Sequence, residues 1–292
     1  MTTARSANVI AWTWWIAACA ILLGAGFWLR GISTGGNDGG QTGWRPWTRS
    51  AILNLYFPDG PFLLPVSRRM SSSNDLLRAA VEALLAGQRA GNAADLQLRS
   101  VELSGGTAHV DLSGAAAKTD ANITRSIVAT LTHLPGVTSV VLSVDGTPVA
   151  PSMHGGRLLY FASPKGLVAV PSEAANPRDA VSRYLAGPSG DGLTGFPSDV
   201  QLRSYDYKAA DRLVSLDFSY TSSVRTLALE APQTVRFVLL GLIASLTEFP
   251  EVQAVQIDFD GHTRLGVGQC SDLLRSRQRR PELLNDERLM AR

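Results

Sequence analysis

The segment Thr130-Leu-Thr-His-Leu-Pro-Gly-Val137, followed by Val140-Val-Leu-Ser-Val-Asp-Gly146, returns 115 positions later as Ser245-Leu-Thr-Glu-Phe-Pro-Glu-Val252 and Val255-Gln-Ile-Asp-Phe-Asp-Gly261. In each copy an apolar-periodic run ends at a proline, which has no amide proton and cannot continue a helix, and an alternating run then closes on Asp-Gly. The pattern reads as helix, break, strand, hairpin turn.

Further matches follow upstream in the same order. Leu55-Tyr-Phe57 pairs with Leu159-Tyr-Phe161, Leu64-Pro65 with Val170-Pro171, and Leu85-Ala-Gly87 with Leu185-Ala-Gly187. Leu96-Gln-Leu-Arg-Ser100 pairs with Val200-Gln-Leu-Arg-Ser204, and Val110-Asp-Leu-Ser113 with Leu216-Asp-Phe-Ser219. The growing offset marks loop insertions, the largest around Thr221 to Glu230. Two units of about 100 residues each suit small domains.

Within the first copy, Ala51–Phe57 and Phe62–Val66 read as strands around a Pro-Asp-Gly-Pro turn. Ser73 or Asn74 precedes a helix with apolar positions Leu76, Leu77, Ala80, Val81, Leu84 and Leu85, stopped at Gly87. A hairpin spans 96–112, and Asp120 or Asn122 opens a second helix through Leu134. The second copy repeats this with Asn176-Pro177 as cap and first helical position. Its long helix runs from Ala231 to Glu248 with Val235, Val238, Leu239, Leu242, Ile243 and Leu246 as the buried stripe. A return strand is expected over 263–267. The expected fold is α+β, two tandem domains, each a mainly antiparallel sheet with two helices on one face.

The predicted organisation is a cytoplasmic stub at 1–8, a transmembrane helix at 9–29, a flexible linker at 30–48, domains at 49–152 and 155–268, and a charged tail at 269–292. Val9–Leu29 is uncharged, with Trp12, Trp14, Trp15 and Trp28 towards its ends, and is long enough to cross a bilayer. Ile16-Ala-Ala-Cys19 resembles a lipoprotein cleavage box, but ten more apolar residues follow Cys19 and only Arg5 precedes the apolar core. The span reading is therefore preferred, and a cleaved signal is disfavoured for want of a clean small-x-small site. Arg30, Arg45 and Arg49 after the span, against Arg5 before it, lean towards a cytoplasmic bulk. Gly35-Gly-Asn-Asp-Gly-Gly40 lacks the Lys-Ser/Thr of a phosphate loop and reads as a tether. The tail mixes both charge signs and reads as frayed.

Net charge is +2, which gives no global reason to expect nucleic acid, and the basic run Arg275–Arg280 lacks interleaved aromatics. Two cysteines, one inside the apolar segment, exclude a disulfide framework. His109, His133, His154 and His262 have no metal-site spacing, and no nucleophile elbow or dinucleotide fingerprint occurs. His133 takes the place of Glu248, so the unit itself requires neither. Asp111 and Asp217 recur in apolar strands. As catalytic acids they would need a companion; as structural groups they accept backbone hydrogen bonds at a strand end, which is the preferred reading. Tyr56 and Tyr160 read as core aromatics. No catalytic, cofactor-binding or metal-ligating residue is assigned, and no cofactor is expected.

In the order Leu-Tyr-Phe, Leu-Ala-Gly(-Pro), Val-Asp-Leu-Ser and Thr-Leu-Thr-x-x-Pro-x-Val with a later Asp-Gly, both copies resemble the GerM domain family of sporulation and spore germination. The likeness covers about 49–150 and 156–268. The departures are Gln88 after Gly87, Ser245 for Thr and Glu251 for Gly. The resemblance implies a single-pass, membrane-anchored extracytoplasmic protein without enzymatic activity, and domains like the ring-building motif. It also implies envelope or sporulation-complex proteins as partners, and a homo-oligomer or ring. On that view the protein is a scaffold or adaptor offering helix positions such as Arg78, Glu82, Arg125, Arg178 and Arg183 to partners. The alternative is a small-ligand or cell-wall binding module, or an undetected hydrolase. A polar cavity would favour the alternative and a flat surface the scaffold.

Overall fold

The computed structural model describes residues 50–71, 75–87, 96–114, 121–149, 152–262, 267 and 270–287. The proposed span at 9–29, Cys19, the linker, Ser73, Asn74 and the return strand at 263–266 lie outside the described residues. Among the described residues no single helix is long and apolar enough to cross a membrane.

The described residues, from 50 to 287, form one compact unit containing both copies. The first copy runs β1 Ser50–Asp59, β2 Phe62–Ser71, α1 Leu76–Gly87, β3 Gln97–Ser104, β4 Thr107–Ser113, α2 Ala121–Thr132 and β5 Ser139–Val144. Two short strands, β6 Thr147–Pro148 and β7 Met153–His154, pair with β5. The second copy runs β8 Arg157–Ser163, β9 Gly166–Ser172, α3 Pro177–Leu185, β10 Leu202–Lys208, β11 Leu213–Phe218, α4 Ser222–Glu230, α5 Pro232–Leu246 and β12 Ala254–Phe259, and α6 Ser271–Arg275 follows.

The strands sort into three sheets, and this differs from one sheet per copy. The first hairpin of each copy joins its counterpart in a central sheet of order β1-β2-β9-β8. The contact between hairpins is the antiparallel pair Leu63 with Ala169, which are themselves equivalent residues, so a local two-fold axis passes between them. Each copy also builds its own flanking sheet, β3-β4-β5 and β10-β11-β12. Antiparallel pairs predominate, but β4 and β5 are parallel, as are β11 and β12. A helical crossover lies between the two strands of each parallel pair, and such a connection returns the chain in the same direction.

Local chemistry explains the element ends. Asn176 accepts from the Asp179 amide at 2.9 Å, and Pro177 occupies the first helical turn, where a missing N–H leaves no bond unmade. Helix α1 is capped by Asp75, whose carboxylate accepts from the Arg78 amide at 2.9 Å, one residue beyond the sequence candidates. Asp145 and Gly146, like Asp260 and Gly261, have positive φ, as a two-residue hairpin turn matching the strand twist requires. The insertion at Thr221 to Glu230 is a helix, α4, capped by the Thr221 hydroxyl. It meets α5 at Pro232 with a bend of 117°, so the second copy carries three helices before its last strand.

Each copy has its own core. One clusters around Leu84, Leu112, Ile127 and Leu142, the other around Val214, Phe218, Leu242 and Phe259. The expected α5 stripe is buried at all six positions. A third cluster belongs to both copies: Tyr56, Leu63 and Ala129 pack with Leu158, Tyr160, Leu167, Ala169, Ala244 and Leu284. Leu284 comes from the tail. Far from frayed, residues 270–287 lie along both copies. Gln278 exchanges two backbone bonds with Val255 at 2.8 Å, and Leu284 and Asn285 are buried.

Candidate functional site at the repeat interface

The two-fold axis brings equivalent polar residues face to face. Tyr56 and Tyr160 sit on β1 and β8, the outer strands of the central sheet, whose outward amides need partners from another element. Helices α2 and α5 supply them. The Tyr56 amide donates to the Thr130 hydroxyl at 3.0 Å, and the Tyr160 amide to the Ser245 hydroxyl at 2.8 Å. These four residues lie in the segments whose recurrence defines the repeat.

Beyond them lies a buried polar network. The Tyr160 hydroxyl donates to Glu248 Oε1 at 2.7 Å, and its single proton is thereby used. The contact of 2.7 Å between the two tyrosine hydroxyls therefore has Tyr56 donating to Tyr160. His133 Nε2 faces Glu248 Oε2 at 3.0 Å, while its Nδ1 faces the Ala129 carbonyl at 2.6 Å. The tail completes the set: Arg280 Nη2 lies 2.6 Å from Glu248 Oε1 and 3.1 Å from the Tyr160 hydroxyl. His133 and Glu248, which replace one another between copies, thus meet as a pair.

The electrostatics keep Glu248 ionised near neutral pH. Burial alone would raise its carboxyl, but His133, Arg280 and the Tyr160 hydroxyl outweigh burial and bring it down to about 2. Burial pushes both tyrosine hydroxyls up, so they remain protonated donors. Burial disfavours a charged Arg280, yet the tyrosine oxygens and Glu248 reverse that and raise it. A carboxylate so acidic and so fully bonded is a weak general base near neutral pH.

The network opens on a polar cleft of 350 Å³ lined by Thr132, Thr247, His133, Glu248, Arg157 and Arg280 among others. The two threonines are equivalent residues, and each hydroxyl donates to the carbonyl four residues back, at 2.7 and 2.8 Å. The Arg157 guanidinium lies 4.1 Å from the Phe249 ring centroid. Among the described residues no group of three or more His, Cys, Asp or Glu is arranged to hold a metal ion.

Asp111 and Asp217 lie apart from this cluster and do what the strand-end reading expects. Asp111 accepts from the Gly146 amide at 3.0 Å and the Ser143 hydroxyl at 2.8 Å. Asp217 accepts from the Gly261 amide at 2.8 Å. Each aspartate thus fastens the Asp-Gly turn of its own copy. The Gly146 amide, Ser143 and Arg99 lower the Asp111 carboxyl against a smaller opposing effect of burial. The charged helix positions are engaged within the chain: Arg78 with Asp75 and Glu82, Arg125 with the Pro61 carbonyl, Arg183 with Asp179, and Arg178 beside the Tyr205 ring.

Sequence comparison missed the site because it read the His133/Glu248 difference as loss of a requirement. Residues on a two-fold axis meet their own equivalents. Two tyrosines can bond across the axis because a hydroxyl both donates and accepts, but two identical carboxylates would repel, so at the Glu248 position a favourable contact is gained when the copies differ.

The family model for Germane, sporulation and spore germination, matches residues 54–150 and 158–265. Among solved structures, the chain is similar to the tandem GerMN domains of the sporulation protein GerM from Bacillus subtilis, with 20% identity, a TM-score of 0.59, and coverage of 82% of this chain and 100% of that one. The first GerMN domain of the same Bacillus subtilis protein also matches, at 22% identity and a TM-score of 0.29, covering 38% of this chain and 89% of that one. No curated protein matches. With the matched segments spanning both copies and most of the chain, this protein belongs to the Germane family of sporulation and spore germination domains and carries two copies in tandem.

Proposed function

We propose that this protein is a non-catalytic, membrane-anchored scaffold or adaptor whose paired domains lie outside the cytoplasm and support assembly of an envelope complex of the sporulation or germination kind. The observation that carries this reading is the fate of the recurring polar residues. Tyr56 bonds to Tyr160 and His133 to Glu248 across the repeat interface, while Thr130 and Ser245 tie each tyrosine to the helix of its own copy, so the side chains best suited to chemistry are engaged in holding the structure together. What remains for function is the outer surface of a body with one fixed arrangement of its halves, the property a scaffold needs. The uncharged apolar run at 9–29 in the sequence and the resemblance to the GerM family motivate placement at the membrane.

Crosslinking in intact cells, followed by recovery of the full-length chain from membranes, tests this. Envelope proteins should be recovered, and a reporter active only outside the cytoplasm should be active when fused after Arg292. Recovery of no envelope protein, or activity of a cytoplasmic reporter alone, would overturn it. The polar cleft favours a second reading, a small-ligand or cell-wall binding module. Saturable binding of a soluble cell-wall fragment to the full-length protein, abolished by Thr132→Val with Thr247→Val, would select that reading.

A further inference from the structure

The tail enters the central sheet at a gap that proline creates. Extending the register of Leu63 with Ala169 by two residues sets Pro65 opposite Leu167. Pro65 has no N–H, so this pair cannot exchange the two bonds of a ladder, and a buried donor and two acceptors are left over. The Asn285 side chain meets all three. Its Nδ2 donates to the Pro65 carbonyl at 2.6 Å and the Leu167 carbonyl at 2.7 Å, and its Oδ1 accepts from the Leu167 amide at 2.8 Å. Two donors and one acceptor in one plane are what a primary amide carries; a carboxylate at this place would turn acceptors on acceptors. The seam is shaped for it as well, since a Cβ on Gly166 would strike the Asn285 amide.

The surrounding backbone is read in the same way. The Ser67 amide donates to the Asn285 carbonyl at 2.7 Å, and the Leu284 amide to the Ser67 hydroxyl at 2.8 Å. Ser67 and Asp286 form an isolated parallel bridge, so the tail makes one strand-like contact with β2. Leu284 fills the shared core, and Arg68 clamps Glu287 through its Nε at 2.9 Å. Backbone pairing, an apolar pocket, a specific polar socket and a charge clamp together are the parts of a strand-addition peptide site.

The geometry points to a peptide-docking site in the seam between the two repeats, one that reads a Leu-Asn pair with a glutamate two residues after the asparagine. In this structure the chain's own tail occupies it. A partner segment of the same chemistry enters by displacing the tail, so docking and withdrawal of Arg280 from the repeat interface are coupled. This gives a scaffold a defined partner surface, but it does not rest on that reading, because peptide docking is measurable whatever the membrane placement.

Hydrogen exchange on the full-length protein tests it. In Asn285→Asp the Ser67 and Leu167 amides should exchange at least about tenfold faster than in the wild type. A synthetic peptide of residues 278–287, added at ~1 mM, should restore their protection, whereas the same peptide with aspartate at position 285 should not. Unchanged exchange in Asn285→Asp would show that the seam does not depend on the amide. Faster exchange without restoration, or equal restoration by both peptides, would overturn docking in trans. If Asn285→Asp does not fold, Leu284→Ser, which keeps the amide and weakens only the anchor, serves in the same assay with the same outcomes.

Discussion

At the residue scale the decisive position is Glu248, a carboxylate with four contacts to three donors, almost out of water. Its folded value of about 2 lies below the ordinary 4.5, so its contribution is fully present above about pH 4.5 and is lost as pH falls towards 2. The shift corresponds to stabilisation on the order of 3 kcal/mol. Glu248→Gln should therefore melt well below the wild type at pH 7, and the gap should close between pH 4.5 and 2. A gap that stays constant over that range would mean that the carboxylate's charge is not what stabilises the interface. His133→Glu makes the complementary case, restoring symmetry by placing two carboxylates on the axis. Denaturant titration at pH 7 should show a loss of about 3 kcal/mol or more, with His133→Gln milder because it keeps a donor. Asp111→Asn and Asp217→Asn should each lower stability by about 1 kcal/mol through a weakened bond to the turn glycine, leaving the repeat interface intact.

At the scale of elements, α2 and α5 perform the same task with different residues, and the difference is testable. Gly241 lets α5 approach β8 so closely that a Cβ there would strike the Tyr160 carbonyl, and the Ser245 hydroxyl donates to the Gly241 carbonyl at 2.7 Å. Gly241→Ala gains helix propensity but overpacks this contact, so a net loss of about 1 to 2 kcal/mol is expected by denaturant unfolding. The equivalent residue on α2 is Ser126, buried with no hydrogen-bond partner for its hydroxyl among the described residues. Ser126→Ala should be neutral or stabilise by up to about 1 kcal/mol, because it removes a desolvated polar group and keeps the volume. Equal destabilisation by both substitutions would contradict this account of how the helices seat. The strands, the Asn176 cap, the Asp-Gly turns and the α5 stripe were legible in the sequence because proline, glycine and apolar spacing act locally. Helix α4 was not, since Thr221–Glu230 lacks a counterpart in the first copy and a strong apolar period. The central sheet was not either: its one inter-repeat pair, Leu63 with Ala169, joins residues far apart in the chain, and alternation names a strand without naming its neighbour.

At the scale of the whole molecule, sequence repetition suggested two domains on a string, each with its own core. The structure keeps both cores and adds a third, built from β1, β2 and α2 on one side and β8, β9 and α5 on the other, with Leu284 of the tail inside it. Neither half can leave without exposing Tyr56, Tyr160 and the buried charges of Glu248 and Arg280. Uncovering a buried ion pair's partners costs several kcal/mol, a large share of what usually holds a domain together. Unfolding of residues 48–292 should accordingly be a single cooperative transition, with calorimetric and van't Hoff enthalpies equal and with probes in the two halves melting together. His133→Glu removes the favourable contact while leaving the separate cores at Leu84 and Leu242 untouched, so it should lower the stability of both halves and, if the interface opens first, split the transition in two. Two resolved transitions in the wild type would show that the shared core is too weak to couple the repeats, and the rigid body on which a scaffold depends would be lost.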